Sequence, residues 1–305
     1  MSASEDLAAN APKSTTSRCP FPRGTNSVRL VIGRSMLCAI AIIPVVVPGR
    51  LVAQAPLAPA APSGQTATPA FEGWYRNPDG TYSISFGYYN RNTTEVVSVP
   101  IGPDNFISPG NQNQGQPAFL YPRRNWGVFV VKVPADFGDQ KKVVWTIKVR
   151  GQTFSVPGSL REEWQIDALE GEAGSNNTPP ALSFEQGGPQ GRGPAGITVE
   201  RTARVGQPLS ITVVATDDGA GVGALSRGGA PVTLTWFTHQ GPAQVTFGTP
   251  SSRLTPKGGT ATTTATFTQP GDYVLRVRAN DSDVTAAGHA QCCWTNGFVK
   301  VRVTP

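Results

Sequence analysis

Hydrophobic and polar residues alternate with a period of two through much of the chain, most clearly between Pro231 and Asp281. Val232, Leu234 and Trp236 share one face of a segment, and Tyr273, Leu275, Val277 and Ala279 share one face of another. Such alternation marks β-strands with one buried side. The same pattern predicts strands at Ile197–Ala203, Leu209–Ala215, Val245–Phe247, Ala261–Phe267 and Phe298–Val303. Nearer the N-terminus, Tyr82, Ile84, Phe86 and Tyr88 alternate, then Val97 and Val99, then Phe129, Val131 and Val133. Val143, Trp145, Ile147 and Val149 alternate against Lys142, Lys148 and Arg150, and Phe154 and Val156 follow the Gly151-Gln152 turn. An Asn77-Pro78-Asp79-Gly80 turn starts this first series, which has no helical stripe. The fold class read from these periods is all-β, with two small β-sandwich domains at 71–166 and 178–305.

Asp167–Asn177 (DALEGEAGSNN) is polar and reads as the linker between them, 167–177. The Ala/Pro-rich residues 56–70 read as an extended tether. Residues 1–55 read as a signal peptide with a long n-region. Arg29 and Arg34 precede the apolar run Met36–Val47, and Ala53-Gln54-Ala55 places small residues where a signal peptidase inspects them, so cleavage is expected after Ala55. The apolar run is short for a hydrocarbon core of ~30 Å, and Pro44 interrupts it. An uncleaved inner-membrane anchor formed by residues 36–47 is the alternative to a periplasmic or extracellular chain.

The net charge of +6 points to nucleic acid until its distribution is read. Six of the 26 basic residues and two of the 20 acidic ones lie in residues 1–55, which leaves the rest nearly balanced. Without a basic stripe interleaved with aromatics, a nucleic-acid partner is excluded. Two connections stand out. Ile101–Asn125 is long for a structureless loop inside a small domain, and such loops are functional or disordered unless they hide a strand, here near Pro117–Tyr121. GGPQGRGPAG, ahead of Ile197, lacks the GK[ST] ending and following helix of a phosphate loop, so a flexible loop is expected.

The C-terminal half carries a more specific order. Trp236 is followed by Gly241-Pro242, a T-x-A-x-F strand ending at Phe267, and Pro270-Gly271-Asp272-Tyr273. Residues 178–305 thereby resemble immunoglobulin-like domains of the PKD type. The resemblance implies a Trp236 packed across the core and a tyrosine corner at Tyr273. It also implies that Leu275 and Val213 occupy the positions that a disulfide bridges in antibody domains. The whole chain, including HAQCCWTNGFVKV near its end, resembles uncharacterised exported bacterial proteins, a likeness that brings no activity with it.

In an immunoglobulin-like sandwich the loop holding Asp217, Asp218 and Gly219 lies at the same end as the loop holding Asp281, Asp283, His289, Cys292 and Cys293. Asp217, Asp218, Asp281 and Asp283 are candidate ligands for calcium, which takes six to eight oxygens, or are ordinary turn residues. His289, Cys292 and Cys293 offer softer ligands for zinc or copper, although adjacent cysteines on a strand point to opposite faces. Cys292 and Cys293 are the cysteines left after cleavage. They form a strained vicinal disulfide, their Cα atoms ~3.8 Å apart, or remain two packed thiols. His239 belongs at the opposite end. No H-E-x-x-H, no G-x-S-x-G and no dinucleotide fingerprint following a strand is present.

Three function classes follow. The first is a non-catalytic exported module, binding a protein partner or a cell-envelope polymer or serving a structural role, with no cofactor unless calcium. The second is a polysaccharide-binding module using Trp74, Tyr75, Tyr89, Phe106 and Tyr121. The third is an unfamiliar hydrolase or metalloprotein.

Overall fold

The computed structural model describes residues 61–166, 177–220, 230–281 and 293–305. In the N-terminal half, β1 (Ala67–Arg76), β2 (Tyr82–Asn90) and β6 (Arg123–Val133) form one antiparallel sheet in the order β1-β2-β6. Strands β4 (Asn105–Ser108), β7 (Val143–Val149) and β8 (Gln152–Gly158) form a second, and β3 (Val97–Ser98) pairs with β5 (Phe119–Leu120). The alternating apolar positions meet in a sandwich core containing Ile84, Phe86, Phe129, Val131, Trp145 and Ile147. Phe86 stacks on Phe129 at 5.4 Å, and Trp145 meets Phe129 edge-on at 5.1 Å, geometries that aromatic quadrupoles favour.

One expectation for this half is corrected, and one open alternative is decided. The tether of residues 56–70 runs into the fold, because β1 starts at Ala67, which is fully buried against β2. Ahead of it, the carbonyls of Ala61 and Pro62 accept hydrogen bonds from Thr93, Thr94 and Glu95. Small residues that read as extended linker also fit beneath a sheet edge. The loop Ile101–Asn125 is neither floppy nor structureless. It contains β4 and the strand expected near Pro117–Tyr121, which is β5, and it folds around Asn105, whose buried amide donates to the carbonyls of Val99 and Pro117, both at 2.8 Å. Its Oδ1 accepts from Trp145 Nε1 at 3.0 Å. One buried amide thus satisfies loop backbone that would otherwise be unpaired.

The C-terminal half pairs a four-stranded with a five-stranded sheet. The first is β13 (Thr246–Phe247), β15 (Gly258–Thr266), β11 (Leu209–Thr216) and β9 (Ala181–Ser183), in that order. The second is β10 (Ile197–Arg204), β17 (Trp294–Thr304), β16 (Gly271–Asn280), β12 (Thr233–Gln240) and β14 (Ser251–Arg253). β10 runs parallel to β17 while the other pairs are antiparallel, an immunoglobulin-like arrangement. Val213 and Leu275 are buried in the shared core, and Trp236 stacks on Phe247 at 5.7 Å. The Tyr273 hydroxyl donates to the Gln269 carbonyl at 2.9 Å, four residues upstream, which is a tyrosine corner.

The Gly-rich excursion is a further correction. Gly193 donates its N–H to Thr295 Oγ1 at 2.9 Å, the Gly193 carbonyl accepts from Asn296 N at 3.1 Å, and Asn296 Nδ2 donates to the Pro194 carbonyl at 2.9 Å. A Cβ at Gly196 would collide with the Asn296 carbonyl, and its φ is +54°. Glycine is needed there for close backbone approach and a left-handed turn, not for mobility. The two cores lie within one compact unit, Leu57–Pro305.

Candidate functional site

The ends of β11 and β16 bring three of the expected acids together. Asp281 follows β16 and is fully buried. Burial, then the charge of Asp217, pushes its pKa up to about 8, opposed by the neighbouring Asn177 amide. Burial also raises Asp217, although the Gly219 N–H donates to its Oδ2 at 2.9 Å. Asp218 behaves differently. Burial would raise it, but hydrogen bonds from Ala220 and Thr178 outweigh that and hold it low. Its Oδ1 accepts from Ala220 N at 2.6 Å, and its Oδ2 from Thr178 Oγ1 at 2.8 Å.

Cys293 is buried beside them and disulfide-bonded, its Sγ 3.5 Å from the Asn177 carbonyl oxygen. Asp283, His289 and Cys292 lie outside the described residues, as do the signal segment and most of the 167–177 linker. Among the described residues no group of three or more His, Cys, Asp or Glu side chains is placed to hold a metal ion. The described cluster is therefore an acid pair, Asp217 and Asp281, with Asp218 committed to the backbone of its own turn and to Thr178.

A second, larger constellation lies where the N-terminal half covers the outer face of the β10-β17-β16-β12 sheet, and periodicity gave no sign of it. Outward positions of β16 ought to be wet, yet Arg276 is 1% exposed. Its guanidinium lies 4.4 Å from the Phe237 ring centroid and donates to Asn296 Oδ1 at 3.3 Å. Phe237 meets Tyr121 edge-on at 5.0 Å, and the Tyr121 hydroxyl accepts from Thr238 N at 2.9 Å. Cation–π contact of this kind gains when desolvated. Burial lowers the Arg276 pKa to about 10, so it stays charged. Asn296 Nδ2 donates to the Gly127 carbonyl at 2.7 Å and Trp294 Nε1 to the same oxygen at 3.3 Å.

His239 belongs to this face too. Its Nε2 lies 2.7 Å from the Gly115 carbonyl oxygen, and its own carbonyl accepts from Ala118 N at 2.7 Å. Burial, then the Arg276 charge, lowers its pKa to about 3. The neutral imidazole therefore donates Nε2–H to Gly115 and pins the 101–125 loop onto β12. Beside it, a cleft of about 410 Å³ opens between the two halves.

The expected stacking aromatics are scattered. Tyr75 accepts from Ala195 N at 3.0 Å, Tyr121 is taken by Phe237, and Trp74 donates to the Arg161 carbonyl at 2.7 Å while packing edge-on against Tyr82. Tyr89 lies under Arg91 and Arg123, and Phe106 sits on β4, half-buried. They form no common platform. The signal that sequence reading passed over was Asn105, Asn113, Gln116 and Gln240, amides whose partners lie in the other half or across the loop.

No protein-family model matches the chain, and no curated protein matches it either. Among solved structures, domains 4 and 5 of the S-layer protein SbsC are similar at 10% identity, covering 72% of this chain and 90% of that chain with a TM-score of 0.24. The D00–D0 domain of intimin is similar at 14% identity, covering 79% and 100%, with a TM-score of 0.25. The titin Ig tandem A164–A165 is similar at 12% identity, covering 79% and 99%, with a TM-score of 0.20. Scores this low carry no argument about arrangement or role, and the fold assignment rests on the strand order and register of this chain itself.

Proposed function

We propose that this chain is a non-catalytic exported module with a binding or structural role in the cell envelope or outside the cell, its C-terminal half of the PKD type. The observation that carries the reading is the covered sheet face: Arg276, Phe237, Tyr121, Asn296 and His239 join two sandwiches laterally into one body. Two described side chains with catalytic potential are committed to that joint, His239 to a backbone carbonyl and Arg276 to an aromatic face. Rigid sandwiches that present loops suit recognition. The partner proposed is a protein or an envelope polymer. Calcium remains a proposal that rests on Asp217 and Asp281 together with Asp283.

Cell fractionation with intact-mass analysis tests the export part. The expected result is a mature chain beginning Pro56-Leu57 in the periplasm or medium. A full-length chain in the inner membrane favours the anchor at residues 36–47, and a full-length cytoplasmic chain overturns the reading.

A further inference from the structure

The cover provided by the N-terminal half stops partway down the outer face of the β10-β17-β16-β12 sheet, and the wedge left there is the cleft of about 410 Å³. Its lining combines three kinds of group. Phe298, Val274 and Val130 contribute apolar surface. Asn113 and Gln240, from opposite halves, contribute two amides that fix one another: Gln240 Nε2 donates to Asn113 Oδ1 at 3.0 Å, and Asn113 Nδ2 to Gln240 Oε1 at 3.3 Å. Gln240 is held further by donating to the Gln116 carbonyl at 2.6 Å. Among the described residues of the lining Lys300 contributes the one charge, since His239 is neutral. It is exposed and makes no ion pair among the described residues, although Glu200 is its register partner on β10.

Concave sites at the junction of two domains, mostly apolar with a few fixed polar groups, are where small ligands bind. The three groups together narrow the chemistry. An apolar ligand would strip water from the amides and the ammonium without replacing it. A bare inorganic anion would leave the apolar lining unused. A pyranose bearing a carboxylate matches all three, with its acid on Lys300, hydroxyls on the oriented amides and its C–H face on Phe298. A trough of about 730 Å³ shares Gln240, Val274 and Lys300 with the cleft and carries Arg201 and Arg302 beside Glu200 and Asp272. Further units of a chain have a path out along the sheet.

We propose that this cleft binds a carboxylate-bearing sugar unit of an anionic polysaccharide, with Lys300 holding the carboxylate and Asn113 and Gln240 the hydroxyls. The proposal rests on the binding arm of the reading above. It relocates saccharide recognition from the scattered aromatics to the junction.

Titration calorimetry on the full mature chain tests it, with trimers of galacturonate, mannuronate and glucuronate as probes and cellotriose and triglutamate as controls. At least one acidic trimer is expected to bind saturably, more weakly as salt rises, and cellotriose to bind poorly. Lys300→Met should weaken binding about tenfold or more, the size of a lost charge-assisted contact. Val274→Trp, which fills the cleft, should abolish it, and melting curves of both variants report that the fold is kept. Three outcomes overturn the proposal: no acidic trimer binds, binding survives both substitutions, or triglutamate binds as tightly as the sugars. Failure of binding leaves the structural arm of the functional reading standing. Cleavage of a trimer in the cell would overturn the non-catalytic reading while leaving the cleft assignment intact.

Discussion

Single residues in this protein are shifted chiefly by burial. Asp281 has its pKa at about 8 against an ordinary 3.8, and Glu72, against Arg124 at 2.6 Å, is pushed up to about 7 from 4.5. For an acid whose folded pKa is raised, the folded state binds more protons than the unfolded chain between the two values. The stabilisation is present below the unfolded pKa and is lost as pH rises through the folded one. These two acids therefore lower stability as pH rises between about 4 and 8, Asp281 across the whole window and Glu72 only up to about 7, while His239, its pKa lowered to about 3 from 6.5, acts in the opposite sense below about 6.5. Asp281→Asn should flatten the slope of melting temperature against pH, most clearly above about pH 6.5, where His239 no longer opposes the acids. An unchanged slope in thermal melts at pH 4.5, 6 and 8 would show that Asp281 is not held in the protonated form.

At the level of strands, alternation found the core strands of both halves, because one face of each packs on a core and the other was assumed wet. The assumption failed on β16 and β17, where outward Arg276 and Asn296 are buried. It failed too for short or polar strands such as β4 and β14, whose partners rather than their patterns make them strands. Gly127 on β6 shows the same dependence on a remote neighbour. It has φ +43°, and a Cβ there would collide with the Trp294 indole. Gly127→Ala should cost on the order of 2 kcal/mol or more, from an unfavourable φ together with overpacking. Chemical denaturation measures this, and a loss below about 0.5 kcal/mol, the ordinary surface range, would mean that the two halves do not meet as closely as Trp294 and Gly127 imply.

For the whole molecule, two cores with separate sequence signals share an interface of buried amides, aromatics and arginine. Chains with two cores commonly unfold in separate steps. Here one transition is expected, because exposing Arg276 and Phe237 on one side strands Tyr121 and the Gly115 carbonyl on the other. Differential scanning calorimetry of the mature chain reads this directly, and Tyr121→Ala with Asn296→Ala should split the peak. Two well-separated peaks in the unmodified protein would mean that the halves are only tethered.

The sequence by itself determined the all-β class, the core face of most strands, the tyrosine corner at Tyr273 and the meeting of Asp217 with Asp281. The first two follow from local alternation, whereas the tyrosine corner and the common end of the two acid-bearing loops were what the resemblance to immunoglobulin-like domains implied. Only the tertiary structure decided that the Gly-rich excursion and the 101–125 loop are ordered, that Arg276 is buried, and that a cleft lies between Asn113 and Lys300. Those features depend on contacts between residues more than a hundred positions apart, such as Gly115 with His239 and Gly127 with Asn296. A polar side chain shows locally what it can donate or accept, but its partner is chosen by how the two sandwiches pack.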